Sequence, residues 1–183
     1  MTTMTTITPS LMDKEFLDII RQNIKEFMKS AATRYAHGEG RLLDIAPQVH
    51  EGARPYFPAS IQVETLDINP ESGCTYIGDI CRNNSFIQDN TFDFVVCTEV
   101  LEHTLQPFHA ADEIFRILKP GGKLFLSVPF NFRIHGPLPD CWRFTEHGLR
   151  ALLRNFEILE LNARETDSRP LMPVQYTVVA QKK

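Results

Sequence analysis

The sequence predicts an α/β fold, a mostly parallel sheet with helices on both faces. Three observations predict it. Short runs rich in β-branched and aromatic residues alternate with amphipathic helical segments. Several runs have few polar breaks, as strands covered on both faces do. Three successive runs end in an acid, at Asp44, Asp67 and Asp79. Carboxylates therefore stand at the strand ends, the edge where open α/β sheets bind ligands.

The elements follow in order. Residues 1–10 are Thr-rich and are expected to form a flexible tail, leaving residues 11–183 as a single domain. Ser10 starts a helix running to Lys29, with Asp13 placed to complete a short capping box. Phe16, Ile20, Ile24, Phe27 and Met28 share one face of it. After Gly38-Glu39-Gly40 the period changes. Leu42–Ile45 is a first strand, Ile61–Asp67 a second and Thr75–Ile77 a short third. Phe92–Cys97 and Leu124–Val128 are the fourth and fifth. Between those two, Ala111, Ile114, Phe115 and Leu118 mark a helix that Lys119-Pro120-Gly121-Gly122 stops. Another helix starts near Thr145 and buries Leu149, Leu152, Leu153 and Phe156. Strands near Glu157–Asn162 and Gln175–Ala180 have no helix between them, so they can pair only antiparallel.

Composition narrows the function. A chain of 183 residues with 43% hydrophobic and 23% charged residues is an ordinary globule rather than a disordered one. No apolar run approaches the length of a membrane span, and the start lacks the basic and apolar regions of a signal peptide. A cytoplasmic location is expected. The formal net charge of −4 weighs against nucleic acid as a partner. The four cysteines, Cys74, Cys81, Cys97 and Cys141, include no CxxC pair, so reduced thiols and no metal are expected. The oligomeric state is not legible.

Asp67 lies 23 residues after Asp44, the place from which a carboxylate holds ribose hydroxyls. Asp79 could accept from the exocyclic amine of adenine. The loop Ala46-Pro47-Gln48-Val49-His50-Glu51-Gly52 lacks the G-x-G-x-x-G of a pyrophosphate site. That excludes NAD and favours a nucleoside carrying positive charge, S-adenosylmethionine.

At this point the sequence resembles the class I S-adenosylmethionine-dependent methyltransferases, over about residues 41–156. The matching stretches are Leu42-Leu43-Asp44-Ile45, Thr65-Leu66-Asp67-Ile68, Gly78-Asp79-Ile80, the run from Phe92 to His103, and Ile117 to Leu124. The run from His135 to Thr145 resembles a bacterial subgroup linked to glycan and small-molecule biosynthesis. The resemblance implies a Rossmann-like fold of seven strands with the last antiparallel. It implies that Asp67 and Ile68 meet the ribose, Asp79 and Ile80 the adenine, and Thr98, Glu99 and Leu101 the methionine end. Asp44 would orient the loop and the cofactor amine. Ala46, Gln48 and His50 stand where the family usually has glycine. Ala46 and Gln48 remain cofactor-binding candidates. The altered loop motivates an alternative, a binding protein that keeps the fold without turnover.

Methyl transfer from a sulfonium mainly needs alignment, and a hydroxyl acceptor also needs a base. His135, after the Val128-Pro129-Phe130 strand end, is the candidate base. Arg133, His135, Asp140, Trp142 and Arg143 are the expected substrate wall, with Trp142 offering a face to a ring and Arg143 a bidentate grip on an anion. The reading is transfer to a small-molecule or sugar acceptor, with oxygen favoured over nitrogen.

Overall fold

A computed structural model describes residues 8–47 and 52–183. Seven strands form one sheet: β1 (Gly40–Ile45), β2 (Ile61–Asp67), β3 (Tyr76–Ile77), β4 (Phe92–Thr98), β5 (Leu118–Pro129), β6 (Phe156–Arg164) and β7 (Gln175–Lys182). Their spatial order is β3-β2-β1-β4-β5-β7-β6. Pairing is parallel from β3 through β5. Strand β7 runs antiparallel to both neighbours, as the missing helix between the last two strands requires. The order reverses between β1 and β4, which opens a crevice at the carboxyl ends of these strands.

The helices are α1 (Leu11–Tyr35), α2 (Pro107–Ile117) and α3 (Glu146–Leu152). Ser10 and Asp13 form the full reciprocal capping box at the start of α1, a feature worth about 1 kcal/mol. The helix continues past Lys29 to Tyr35 because Ala31 and Ala32 are buried in one core with Leu42, Phe94 and Phe125. The other face carries α2 and α3, whose Ile114, Ile117, Leu149 and Leu152 pack with Val95, Leu124 and Leu126. Helices thus cover both faces.

The sequence reading differs where α2 meets β5. Helix α2 ends at Ile117, and β5 begins at once. Lys119-Pro120-Gly121-Gly122 is an outward excursion within β5: Leu118 pairs with Phe92, and pairing resumes at Lys123 with Phe94. Gly121 takes a φ of 77° there. The passage from β1 to β2 contains only a 3₁₀ turn, Arg54–Tyr56, among the described residues. No helix described is long and apolar enough to cross a membrane.

Candidate active site

Two cavities open at the strand ends. The larger, about 890 Å³, is lined by Ala46, Asp67, Ile68, Asp79, Ile80 and Glu99, with Gln106 and His109 opposite. The smaller, about 370 Å³, lies under α1, whose Leu17, Ile20, Arg21, Ile24 and Met28 form one wall. Asp44, Thr98, Phe132 and His135 line its remainder. Ala46, Glu99 and His103 line both, so the cavities meet there.

Strand ends place the acids. Asp67 closes β2 and accepts the Asn69 N–H on Oδ1 at 2.7 Å. Its Oδ2 accepts nothing among the described residues. Asp79 accepts the Cys81 N–H at 2.9 Å. Behind it, Asn84 holds the Asp79 carbonyl and is held by Glu113 of α2, which Arg116 grips in turn. Asp44 is 3% exposed and accepts the Ala53 N–H at 2.6 Å. Burial pushes its pKa up to about 6, against the pull of that hydrogen bond.

Ala46 and Glu99 follow β1 and end the run of β4 with φ of 49° and 55°. Left-handed backbone at a residue other than glycine costs roughly 1–3 kcal/mol and clusters at functional sites. Ala46 thus adopts the conformation for which glycine is usual, with its N–H on the Leu66 carbonyl at 2.7 Å. The Glu99 carboxylate accepts from Ser127 and Gln175, and Gln175 accepts from Asn23 of α1. Loss of hydration pushes the Glu99 pKa upward.

His135 is set by its neighbours. The buried Asp140 carboxylate takes the His135 backbone N–H at 2.9 Å and faces its Nδ1 at 3.1 Å. Arg143 grips Asp140 with two bonds, of 2.5 and 2.7 Å. Despite burial, these donors hold the Asp140 pKa down at about 2. Burial lowers the His135 pKa below its ordinary value, opposed by the Asp140 charge. The ring is therefore neutral at pH 7, and Nδ1–H donated to the Arg133 carbonyl at 3.3 Å leaves the Nε2 lone pair available.

Several expected site residues lie elsewhere. Leu101 is fully buried in the core and lines neither cavity. Arg133 turns to Asp13 on α1, at 3.4 Å. Arg143 gives its donors to Asp140 and to the carbonyls of Phe132, Arg133 and Trp142, so it braces the loop. Trp142 donates its indole N–H to the Thr104 carbonyl and stacks on Phe144. Asp140 is consumed by His135 and Arg143. The wall of the smaller cavity comes instead from Phe132, His135, Gly136 and α1. Gln48 lies outside the described residues. The α1 wall was missed, because an amphipathic pattern marks a buried face without saying what it covers. Also missed was Glu102, fully buried beside His103 and His135 with no partner for either oxygen among the described residues. Its only sequence signal is the charge at the end of the run Phe92 to His103.

The family model for a methyltransferase domain matches residues 16–163. A demethylmenaquinone methyltransferase of Renibacterium salmoninarum is 32% identical over 122 residues, 61% of this chain and 49% of that protein. A ubiquinone biosynthesis O-methyltransferase of Xanthomonas oryzae pv. oryzae is 37% identical over 87 residues, 47% of this chain and 32% of that protein. The chain thus spans half or less of the curated relatives it matches. A crystal structure of a SAM-dependent methyltransferase from Methanosarcina mazei superposes with a TM-score of 0.65 at 21% identity, over 82% of this chain and 95% of that one. With the family model covering most of the chain, the protein belongs to the methyltransferase-domain family and shares the fold of a SAM-dependent methyltransferase.

Proposed function

We propose that residues 11–183 act as one domain that transfers a methyl group from S-adenosylmethionine to a hydroxyl of a small, largely apolar acceptor. The observation that carries this reading is the meeting of the two cavities at Ala46, Glu99 and His103, with His135 on the acceptor side. The residues present suit the cofactor. Asp67 offers an unused oxygen to ribose hydroxyls. Asp79 and Ile80 suit the adenine, and Ile68 borders the ribose. The carboxylates of Asp44 and Glu99, with Thr98, make the junction favourable to a cation. The left-handed Ala46 keeps the loop conformation that glycine usually supplies, which argues against a silent binding protein.

When bound, S-adenosylmethionine supplies an electrophilic methyl on a positively charged sulfur. The chain's own groups do the rest. His135 takes the acceptor hydroxyl proton on Nε2, while the Arg133 carbonyl fixes the ring and Asp140 offsets the imidazolium charge that develops. Arg143 acts through Asp140 as a positioning residue. Oxygen is favoured over nitrogen because a neutral amine needs no such base. The relative acting as an O-methyltransferase in ubiquinone biosynthesis supports the same choice. A sugar fits less well than an apolar ring, since Leu17, Ile20, Ile24, Met28 and Phe132 offer few polar partners.

Calorimetric titration with S-adenosylmethionine and S-adenosylhomocysteine tests the first half of the reading. Micromolar binding is expected, and its absence from folded protein would sink it. For the second half, His135→Ala should lower turnover of a phenolic acceptor at least 100-fold while leaving cofactor affinity within about twofold. Undiminished turnover would remove His135 as the base.

A further inference from the structure

The 3₁₀ turn Leu101–His103 and the loop after β5 are sewn together by backbone. The Glu102 carbonyl accepts the N–H groups of Cys141 and Trp142, at 2.7 and 3.1 Å. This docking brings His103 and His135 ring to ring, with centroids 4.8 Å apart. Each ring has its Nδ1 engaged on the outer side. His103 Nδ1 meets the Pro139 carbonyl at 3.0 Å, and His135 Nδ1 meets the Arg133 carbonyl at 3.3 Å with the Asp140 carboxylate beside it at 3.1 Å. Each Nε2 points inward to the same oxygen, Glu102 Oε1, at 3.7 and 3.8 Å. The three potential ligand atoms all lie within 4.8 Å of one another. Glu102 is 0% exposed, and neither of its oxygens has a hydrogen-bond partner among the described residues. An unpartnered carboxylate at full burial is costly, and here it faces two imidazole lone pairs.

We propose that Glu102, His103 and His135 form a binding site for a divalent transition cation of the zinc class. Ligand atoms about 2.0–2.2 Å from a tetrahedral zinc stand about 3.3–3.6 Å apart. Shifts of a few tenths of an ångström in the two contacts to Glu102, with a somewhat larger approach where the set reaches 4.8 Å, would close the site. Both imidazoles carry the outer hydrogen bond that fixes a ligating tautomer, to the main-chain carbonyls of Pro139 and Arg133. Two nitrogens and one oxygen select zinc, cobalt, nickel or iron over magnesium and calcium, which prefer all-oxygen shells. The remaining coordination position faces the junction, because His103 lines both cavities. A cation held there occupies the Nε2 lone pair of His135. On the reading of His135 as base, metal occupancy and proton removal exclude each other, so the cation acts as a block.

The test uses chelator-treated full-length protein titrated with cobalt(II), followed by visible absorption. One equivalent should bind with micromolar affinity and give the intense bands of tetrahedral cobalt. Zinc should displace it, and millimolar magnesium should not. Glu102→Gln and His103→Ala should each weaken binding at least tenfold, with folding checked by circular dichroism. A second readout is diethylpyrocarbonate labelling of the six histidines, mapped by mass spectrometry. Zinc should protect His103 and His135 and leave His37, His109 and His147 reactive. No cobalt bands from folded protein, or equal affinity in both variants, would overturn the site. Binding and protection of both rings, with turnover unaffected by zinc, would keep the site and overturn the base reading instead.

Discussion

Replacing Asp44 by Asn should stabilise the ligand-free protein and weaken its hold on the cofactor. The carboxyl is 3% exposed, and among the described residues its hydrogen bond comes from the Ala53 N–H at 2.6 Å. An asparagine Oδ1 can accept that same bond. Burial raises the pKa from an ordinary 3.8 to about 6. The folded state therefore binds the proton more tightly than the unfolded chain, and stability is lost as pH rises from about 4 to 6. At about 1.4 kcal/mol per tenfold change in proton affinity, the cost is about 1 kcal/mol at pH 4.5 and about 3 kcal/mol at pH 7. Urea unfolding of both proteins at pH 4.5, 5.5, 7 and 8 measures the difference, which isolates Asp44 from other titrating groups. Asn should win by an amount that grows across this range and levels off above pH 7. Calorimetry should show S-adenosylmethionine affinity falling at least tenfold. A pH-independent difference, or a variant less stable than wild type at pH 7, would refute the reasoning.

Three further substitutions probe other parts of the site. Arg143→Ala strands the Asp140 carboxylate, whose side chain is 0% exposed, and should cost about 3–5 kcal/mol in chemical denaturation; a loss under 1 kcal/mol would show that Asp140 finds water. Asp67→Ala should leave the melting temperature within about 2 °C, as expected of a half-buried strand end outside the core, yet abolish measurable S-adenosylmethionine binding by calorimetry; normal binding would move the nucleoside site elsewhere. Ala46→Gly relieves about 1–2 kcal/mol of left-handed strain against about 0.5–1 kcal/mol of added chain freedom. A net gain of up to about 1 kcal/mol in urea unfolding, with equal or tighter cofactor binding, is expected, and a clear destabilisation would show that the Ala46 methyl contributes packing.

Sheet and strand-end acids were legible because both are local. The runs ending at Asp44, Asp67 and Asp79 declare burial by composition and the ligand edge by their final residue. Pairing of β6 with β7 followed from a connection too short to cross over. What escaped depends on contacts between distant segments. Helix α1 outruns its apolar pattern because Ala31 and Ala32, weak markers in a sequence, meet Leu42 and Phe125. Leu101 sits within a familiar stretch but turns into the core, since a 3₁₀ turn points successive side chains in different directions. Arg143 read as a ligand grip because its partners, the carbonyls of Phe132 and Arg133, are main-chain groups that no residue type reveals. The pairing of His103 with His135 likewise rests on backbone bonds between segments far apart in the chain.

The division of labour around the smaller cavity has an evolutionary consequence. Helix α1 contributes Leu17, Arg21 and Ile24 to that wall, all of them incompletely buried, and none of its residues lines the larger cavity. It adds no strand to the sheet. On the proposed reading, acceptor preference can drift by substitutions at Leu17 and Arg21 that leave the nucleoside half of the site and the folding core alone, whereas Ile24 also packs on the core. Asn23, through Gln175, couples this helix to Glu99 by hydrogen bonds. A combinatorial library at positions 17 and 21 with Asn23 and Ile24 held constant would thus explore new acceptors at little risk to cofactor use, much as exchanging a tool bit leaves the motor untouched.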